Sequence, residues 1–210
     1  SAGTAREAHK SNPFAVWAAR ARTANDANPD LACHRIWRAH PELMIRPKFR
    51  ISAANPVFAA GSCFAREVED ALASLGFDVT TRCDELFDEF PLLHDGSLQA
   101  GVRPRAYLNR YNTMSMLDEF RHLLGMDSKL ESGLLTYELG MGGAADLHYS
   151  QSLRQVDKAT TLERRRRVRE HLGPLLRRCK VLVLTLGMAE CWFDEAAGRY
   201  LNNTPGPRVL

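Results

Sequence analysis

No stretch of this sequence approaches the roughly 18 consecutive apolar residues that a membrane-spanning helix needs. The polar opening Ser1 to Asn12 lacks the apolar segment of a secretory signal, so the expectation is a cytoplasmic protein with no membrane partner. Charge of one sign is missing too: 28 Lys and Arg stand against 25 Asp and Glu, a formal +3. That balance excludes the strong one-signed field a nucleic-acid partner demands. Cysteine is scarce and odd in number. Cys33, Cys63, Cys83, Cys179 and Cys191 include no C-x-x-C pair, which argues against a disulfide framework and against a zinc site. Gly140-Met141-Gly142-Gly143 lacks the strand-to-helix setting of a phosphate loop, so no nucleotide is expected there. No cofactor and no metal ion is expected.

What is present is the ordinary material of a globular domain, 45% apolar and 25% charged residues in 210. Residues 1–50, rich in Ala, Asn, Pro and Arg with Trp17 and Trp37 as isolated anchors, read as an N-terminal arm or cap. Residues 51–210 read as one α/β domain. Pro56 to Ala60 is a short apolar run stopped by Gly61, as in a strand buried on both faces. Phe64, Val68, Ala71, Leu72 and Leu75 then recur at helical spacing before Gly76, and Phe77 to Thr81 suits a second strand. Strand, helix and strand in about 25 residues form a compact βαβ unit, expected to be a right-handed parallel crossover. Asp84 to Gly101 reads as a long acidic loop with a helical turn. Asn112 caps a helix that runs to Gly125, and Thr160 with Glu163 opens another that runs to Arg178 across Pro174. Its Arg164 to Arg167 run reads as a solvated face. Val181 to Leu186 is the clearest expected buried parallel strand, and Trp192 to Leu201 suggests a hairpin.

In doubly wound sheets ligands collect at the carboxyl ends of parallel strands, so the tips at Gly61 and Gly187 are read as one site. Ser62 and Cys63 open the helix after the first tip, where unpaired N–H groups and the helix dipole favour negative charge. Such a setting suits a thiolate nucleophile at Cys63, or a hydroxyl nucleophile at Ser62, with the same N–H groups holding an oxyanion. The competing reading makes Ser62 a helix cap and Cys63 a small packed residue.

Gly61-Ser62-Cys63-Phe64-Ala65 spells the motif that names the GSCFA-domain proteins. Lys48-Phe49-Arg50-Ile51, Arg110-Tyr111-Asn112-Thr113 and Leu184 through Trp192 resemble that family's other recurrent segments in order, from about residue 12 to residue 205. The family is grouped with the SGNH or GDSL hydrolases, so the resemblance implies a flavodoxin-like parallel sheet with helices on both faces. It implies acyl chemistry as well: an ester hydrolase or O-acyltransferase acting on an acylated small molecule or carbohydrate. In that superfamily a Gly-Asp-Ser turn carries the nucleophile. Laid over it, Gly61-Ser62-Cys63 puts Cys63 at the serine and Ser62 at the aspartate, which favours Cys63. The superfamily's oxyanion donors map to Asn112 and to the N–H near Gly187. Its Gly-x-Asn-Asp block is met by Gly187-Met188-Ala189-Glu190, without the asparagine but with Glu190 as a candidate. The superfamily's late Asp-x-x-His has no counterpart in these 210 residues, and His148 and His94 are the loop histidines left as substitutes. On this reading the fold is incomplete at the C-terminus, and the unfinished sheet edge invites self-association. The rival function is a non-catalytic binding domain on the same fold.

Overall fold

In the computed structural model the chain divides into two units, Ser1–Arg50 and Ile51–Leu210. The described residues are 47–88, 104–150, 155–188 and 190–206. The expected arm therefore lies outside them but for its last four residues, as do His94, Ala189 and most of the acidic loop after Asp88.

Strand β1, Val57–Gly61, is buried at every position, as its apolar run predicts. Helix α1, Cys63–Ser74, follows at once, and Gly76 with φ 81 turns the chain back. The expected second strand shrinks to one parallel bridge, Val57 to Val79, closed by Val57 N–H to the Asp78 carbonyl and Thr80 N–H to the Val57 carbonyl. Alongside β1 on its other edge runs β4, Val181–Thr185, parallel and in register from Val57↔Val181 to Gly61↔Thr185. The chain is thus a mixed α/β protein with a small parallel sheet. Between these strands lie α2 (Asp84–Asp88), α3 (Thr113–Leu123), the antiparallel hairpin β2–β3 (Thr136–Glu138 with Ala144–Asp146) and α4 (Lys158–Arg178). The hairpin β5–β6, Phe193–Asp194 with Arg199–Tyr200, closes the described part as expected. No described helix is long and apolar enough to cross a membrane.

Phe58 and Ala60 project from β1 into the main core, where Met116 and Leu123 of α3 and Val168 and Leu172 of α4 meet them. Burying a side chain of the size of Phe58, Leu123 or Val168 contributes about 1.5–3 kcal/mol.

Four expectations are corrected here. β4 is not a buried strand: Leu182 and Leu184 are 45% and 46% exposed, because β4 pairs with β1 on one edge and has no strand on the other among the described residues. A VLVLT run records the apolar character of a strand and not whether a neighbour covers it. In α1 the apolar stripe does not face the core either. Phe64 and Leu75 are exposed, whereas Ala65, Arg66 and Glu69 are buried. Glu69 is held by Arg66 at 2.9 Å and by Arg105 at 3.0 Å, and Arg66 donates to the Ala59 carbonyl, so charge pairing orients the helix. Burial pushes the Glu69 carboxyl up and the Arg66 guanidinium down, and their mutual attraction opposes both shifts. Finally, α4 is capped by Asp157, whose carboxylate accepts from Thr160 N–H, and not by Thr160. The arginine run of α4 divides. Arg166 and Arg167 pair with Glu163 at the surface, but Arg164 and Arg165 are buried.

Candidate functional site

Gly61 carries φ 147, and a Cβ built on it would lie 2.1 Å from Thr185 Oγ1 and 2.4 Å from the Thr185 carbonyl. Only glycine lets the tips of β1 and β4 close to this distance. The Gly61 carbonyl accepts from Arg110 N–H at 2.7 Å, which ties the turn to the segment leading into α3. Ser62 then takes the cap position of α1 in extended backbone, and Cys63 is the first helical residue.

The two strand tips meet. A Cβ on Gly187 would lie 3.3 Å from Ser62 Cβ, 3.7 Å from Ser62 Oγ and 3.0 Å from the Tyr111 carbonyl. Met188 N–H donates to that carbonyl at 2.7 Å. Ser62, Gly187 and Tyr111 are therefore neighbours, although 125 positions separate the two ends of the set by number, 62 to 187.

Ser62 and Cys63 differ sharply in surroundings. Ser62 is 6% exposed, and its Oγ neither caps α1 nor finds another partner among the described residues. Thr185 Oγ1, the hydroxyl facing Gly61, is likewise buried and unpaired. Cys63 is a free, exposed thiol, whereas Cys83 is buried and its thiol is pushed up to about 12 by desolvation.

Beside Gly187 opens a pocket of about 190 Å³ lined by Tyr111, Asn112, Met188, Glu190, Trp192 and the Leu201–Thr204 segment. Trp192 is half-exposed on its rim. Asn112 is mostly committed to structure. Its Oδ1 accepts from Ser115 N–H at 2.8 Å, capping α3, and its Nδ2 donates to the Leu201 carbonyl at 2.8 Å. Asn202 completes the floor, accepting from Tyr111 N–H and Ser115 Oγ and donating to the Asn109 carbonyl. Glu190 is exposed at the mouth. The turn at Cys63 and the pocket are thus joined through Gly187 and Tyr111, with Asn112 and Glu190 on the pocket side.

The described histidines stand elsewhere. His148 is wholly buried, its Nε2 lying 2.8 Å from Glu119 Oε2, and burial lowers it to about 4 despite that carboxylate. His122 is buried with Nε2 3.4 Å from the Arg165 carbonyl, and His171 on α4 faces Glu85. No described histidine is hydrogen-bonded to Ser62 or Cys63. Among the described residues no group of His, Cys, Asp and Glu could hold a metal ion.

Sequence reasoning missed the buried ionic interior. Arg110 pairs with Glu119 at 2.9 Å and lies over the Tyr149 ring at 4.1 Å, while Tyr149 Oη donates to Glu119 Oε1. Burial would raise the Glu119 carboxyl, yet Arg110 and the His148 hydrogen bond hold it well below the usual carboxylate range. The motif Arg110-Tyr111-Asn112 was the available signal, since all three residues are fixed beside the strand tips.

No curated protein and no solved structure matches the chain significantly. The profile of the GSCFA family matches residues 56–208, from the start of β1 to past the pocket segment, well over half of the sequence. The chain belongs to the GSCFA family.

Proposed function

We propose that the chain is an acyl hydrolase or O-acyltransferase whose nucleophile sits at the Gly61-Ser62-Cys63 turn. The observation that carries this reading is the junction of the two strand tips, which sets Ser62 against Gly187 at the amino end of α1 and next to the pocket of Trp192 and Glu190. Cys63 is the residue of choice for attack because it is exposed, while Ser62 is buried behind it. In this reading the Cys63 sulfur forms a bond to the acyl carbon, the ester C–O bond breaks, and the leaving alcohol takes up the thiol proton. Water or a second alcohol then takes the acyl group from the thioester and returns the proton to sulfur. The oxyanion is held by backbone N–H groups of the Cys63 turn and of Gly187, with Asn112 fixing the pocket wall. The polar, aromatic-rimmed pocket suits a small-molecule or carbohydrate ester. The parallel β1–β4 pair and the Val79 bridge support the flavodoxin-like architecture that this chemistry commonly uses.

A binding domain without catalysis is the second reading, and a specific observation favours it: each described histidine is engaged away from the turn. Thiol alkylation followed by peptide mass spectrometry, run beside a p-nitrophenyl ester panel, separates the two. The enzyme reading expects fast, selective labelling of Cys63, ester turnover, and a loss of turnover of about 100-fold or more in Cys63→Ala. Slow labelling with no turnover establishes the binding domain, and an acyl adduct on Ser62 moves the nucleophile.

A further inference from the structure

The parallel pairing of β1 and β4 ends at Gly61↔Thr185, and past that point one dipeptide joins the two tips. Arg110 N–H donates to the Gly61 carbonyl at 2.7 Å on the β1 side, and the Tyr111 carbonyl accepts from Met188 N–H at 2.7 Å on the β4 side. Tyr111 N–H in turn donates to Asn202 Oδ1 at 2.8 Å. Where this dipeptide lies therefore sets where Gly61 and Met188 lie, and with them the Ser62–Cys63 turn and Gly187. The Gly61 carbonyl belongs to the planar peptide that enters Ser62, so its direction also fixes how the chain enters α1.

The dipeptide is held by the Arg110 side chain, which is 1% exposed. Its guanidinium is fixed from three sides: Nη2 lies 2.9 Å from Glu119 Oε2 of α3, Nη1 donates to the Asn109 carbonyl at 3.0 Å, and the group lies 4.1 Å over the Tyr149 ring. Glu119 is itself held, by Tyr149 Oη at 3.0 Å on one oxygen and by His148 Nε2 at 2.8 Å on the other. Apolar side chains of the same volume often stabilise a fold as well as a buried ion pair does, because desolvation offsets the attraction. What the ion pair adds is a single register. Apolar contacts tolerate a small slide, whereas a guanidinium moved off its carboxylate leaves two charges unpaired in the interior.

We propose that Arg110 is the positioning residue of the strand-tip junction: its buried ion pair fixes the register of the Arg110–Tyr111 dipeptide, which fixes the spacing between the Ser62–Cys63 turn and Gly187. The effect on turnover rests on the acyl-transfer reading, in which both tips supply N–H groups to the oxyanion, and the effect on geometry does not. Arg110→Met/Glu119→Gln removes both charges together and leaves neither one alone. In that variant, amide exchange at Met188 is expected to quicken on the order of tenfold while α4 amides keep their wild-type protection. Its kcat on p-nitrophenyl acetate is expected to fall about 100-fold, with KM within about twofold of the wild type. Arg110→Lys keeps the charge but not the planar fork, so its Met188 exchange is expected to fall between the two, about threefold faster than wild type. A residue that merely fills space would rank Met above Lys. Unchanged Met188 exchange in the double variant, faster exchange spread evenly over α4, or an unchanged kcat would each overturn the proposal. If the wild type turns over no ester, the acyl-transfer reading fails and Met188 exchange alone decides. If the double variant does not fold, Arg110→Lys decides, and Met188 exchange equal to wild type overturns the proposal.

Discussion

Arg165 and the hydroxyls at the strand tips are buried to a similar depth, and they are treated in opposite ways. Arg165 uses all five of its N–H groups: Nε and Nη2 grip Asp146 at 3.0 and 2.7 Å, Nη1 reaches the Leu130 and Leu134 carbonyls, and Nη2 also reaches that of Leu135. Ser62 Oγ and Thr185 Oγ1 have no partner among the described residues. The difference separates two uses of a buried polar group. Around Arg165 polar atoms bolt α4 to the β2–β3 hairpin, and at the tips they are held in place with their bonding capacity unspent. Stability measurements should therefore respond strongly in the first region and weakly in the second.

The sharpest way to break this comparison is Arg165→Met, which keeps the bulk and removes every bond. Asp146 would lose its ion-pair partner and keep only backbone N–H and Tyr107 hydrogen bonds, and the carbonyls of Leu130, Leu134 and Leu135 would each lose a donor. Leu135 would also lose a restraint on its left-handed backbone, φ 60. The expected loss is about 3–5 kcal/mol in urea unfolding, with no rescue by Lys, because a single ammonium cannot replace the planar fork. A loss below about 1 kcal/mol would mean that the interior is wet and the contrast false.

Next in size is an acid-sensitive interior. Because His148 Nε2 must donate to the ionised Glu119, its Nδ1 is bare, and a second proton there would be a buried donor without a partner. Its value of about 4 in the fold lies below the usual value near 6.5. Above pH 6.5 the ring is neutral in both states and contributes no pH dependence. As pH falls from about 6.5 towards 4, the unfolded chain takes up a proton that the fold refuses, so stability drops by up to about 3 kcal/mol. Glu119, held low by Arg110, extends the loss further into acid. Urea midpoints recorded across that range check this, and His148→Gln is expected to flatten the slope between pH 6.5 and 4.

These charged centres were not legible in the sequence, and the reason is physical. β1, α1, α3 with its Asn112 cap, α4 and the β5–β6 hairpin announce themselves through local signals: periodicity, caps, glycine stops. Glu69 with Arg105, Arg110 with Glu119 and Arg165 with Asp146 are pairings between distant segments, and a charged residue read alone is assigned to solvent. The same holds for Leu182 and Leu184, whose exposure depends on what lies beside β4 and not on their own character. At the candidate site the turn and Gly187 were readable from the strand-tip rule. The privacy of Ser62 and the openness of Cys63 were not, since adjacent residues at a helix start have no periodicity to separate them.

The smallest expected effect falls on the tip itself. Replacing a serine that caps a helix costs about 1 kcal/mol, because an N–H of the first turn loses its acceptor. Ser62 stands at the cap position of α1 without making that bond, so Ser62→Ala removes an unpaired buried hydroxyl and should change unfolding free energy by less than about 0.5 kcal/mol. If the hydroxyl instead serves the neighbouring thiol, the same variant will slow alkylation of Cys63 while its stability stays level. A loss near 1 kcal/mol with unchanged labelling would assign Ser62 to the helix in solution, and the tips would then resemble the Arg165 region after all.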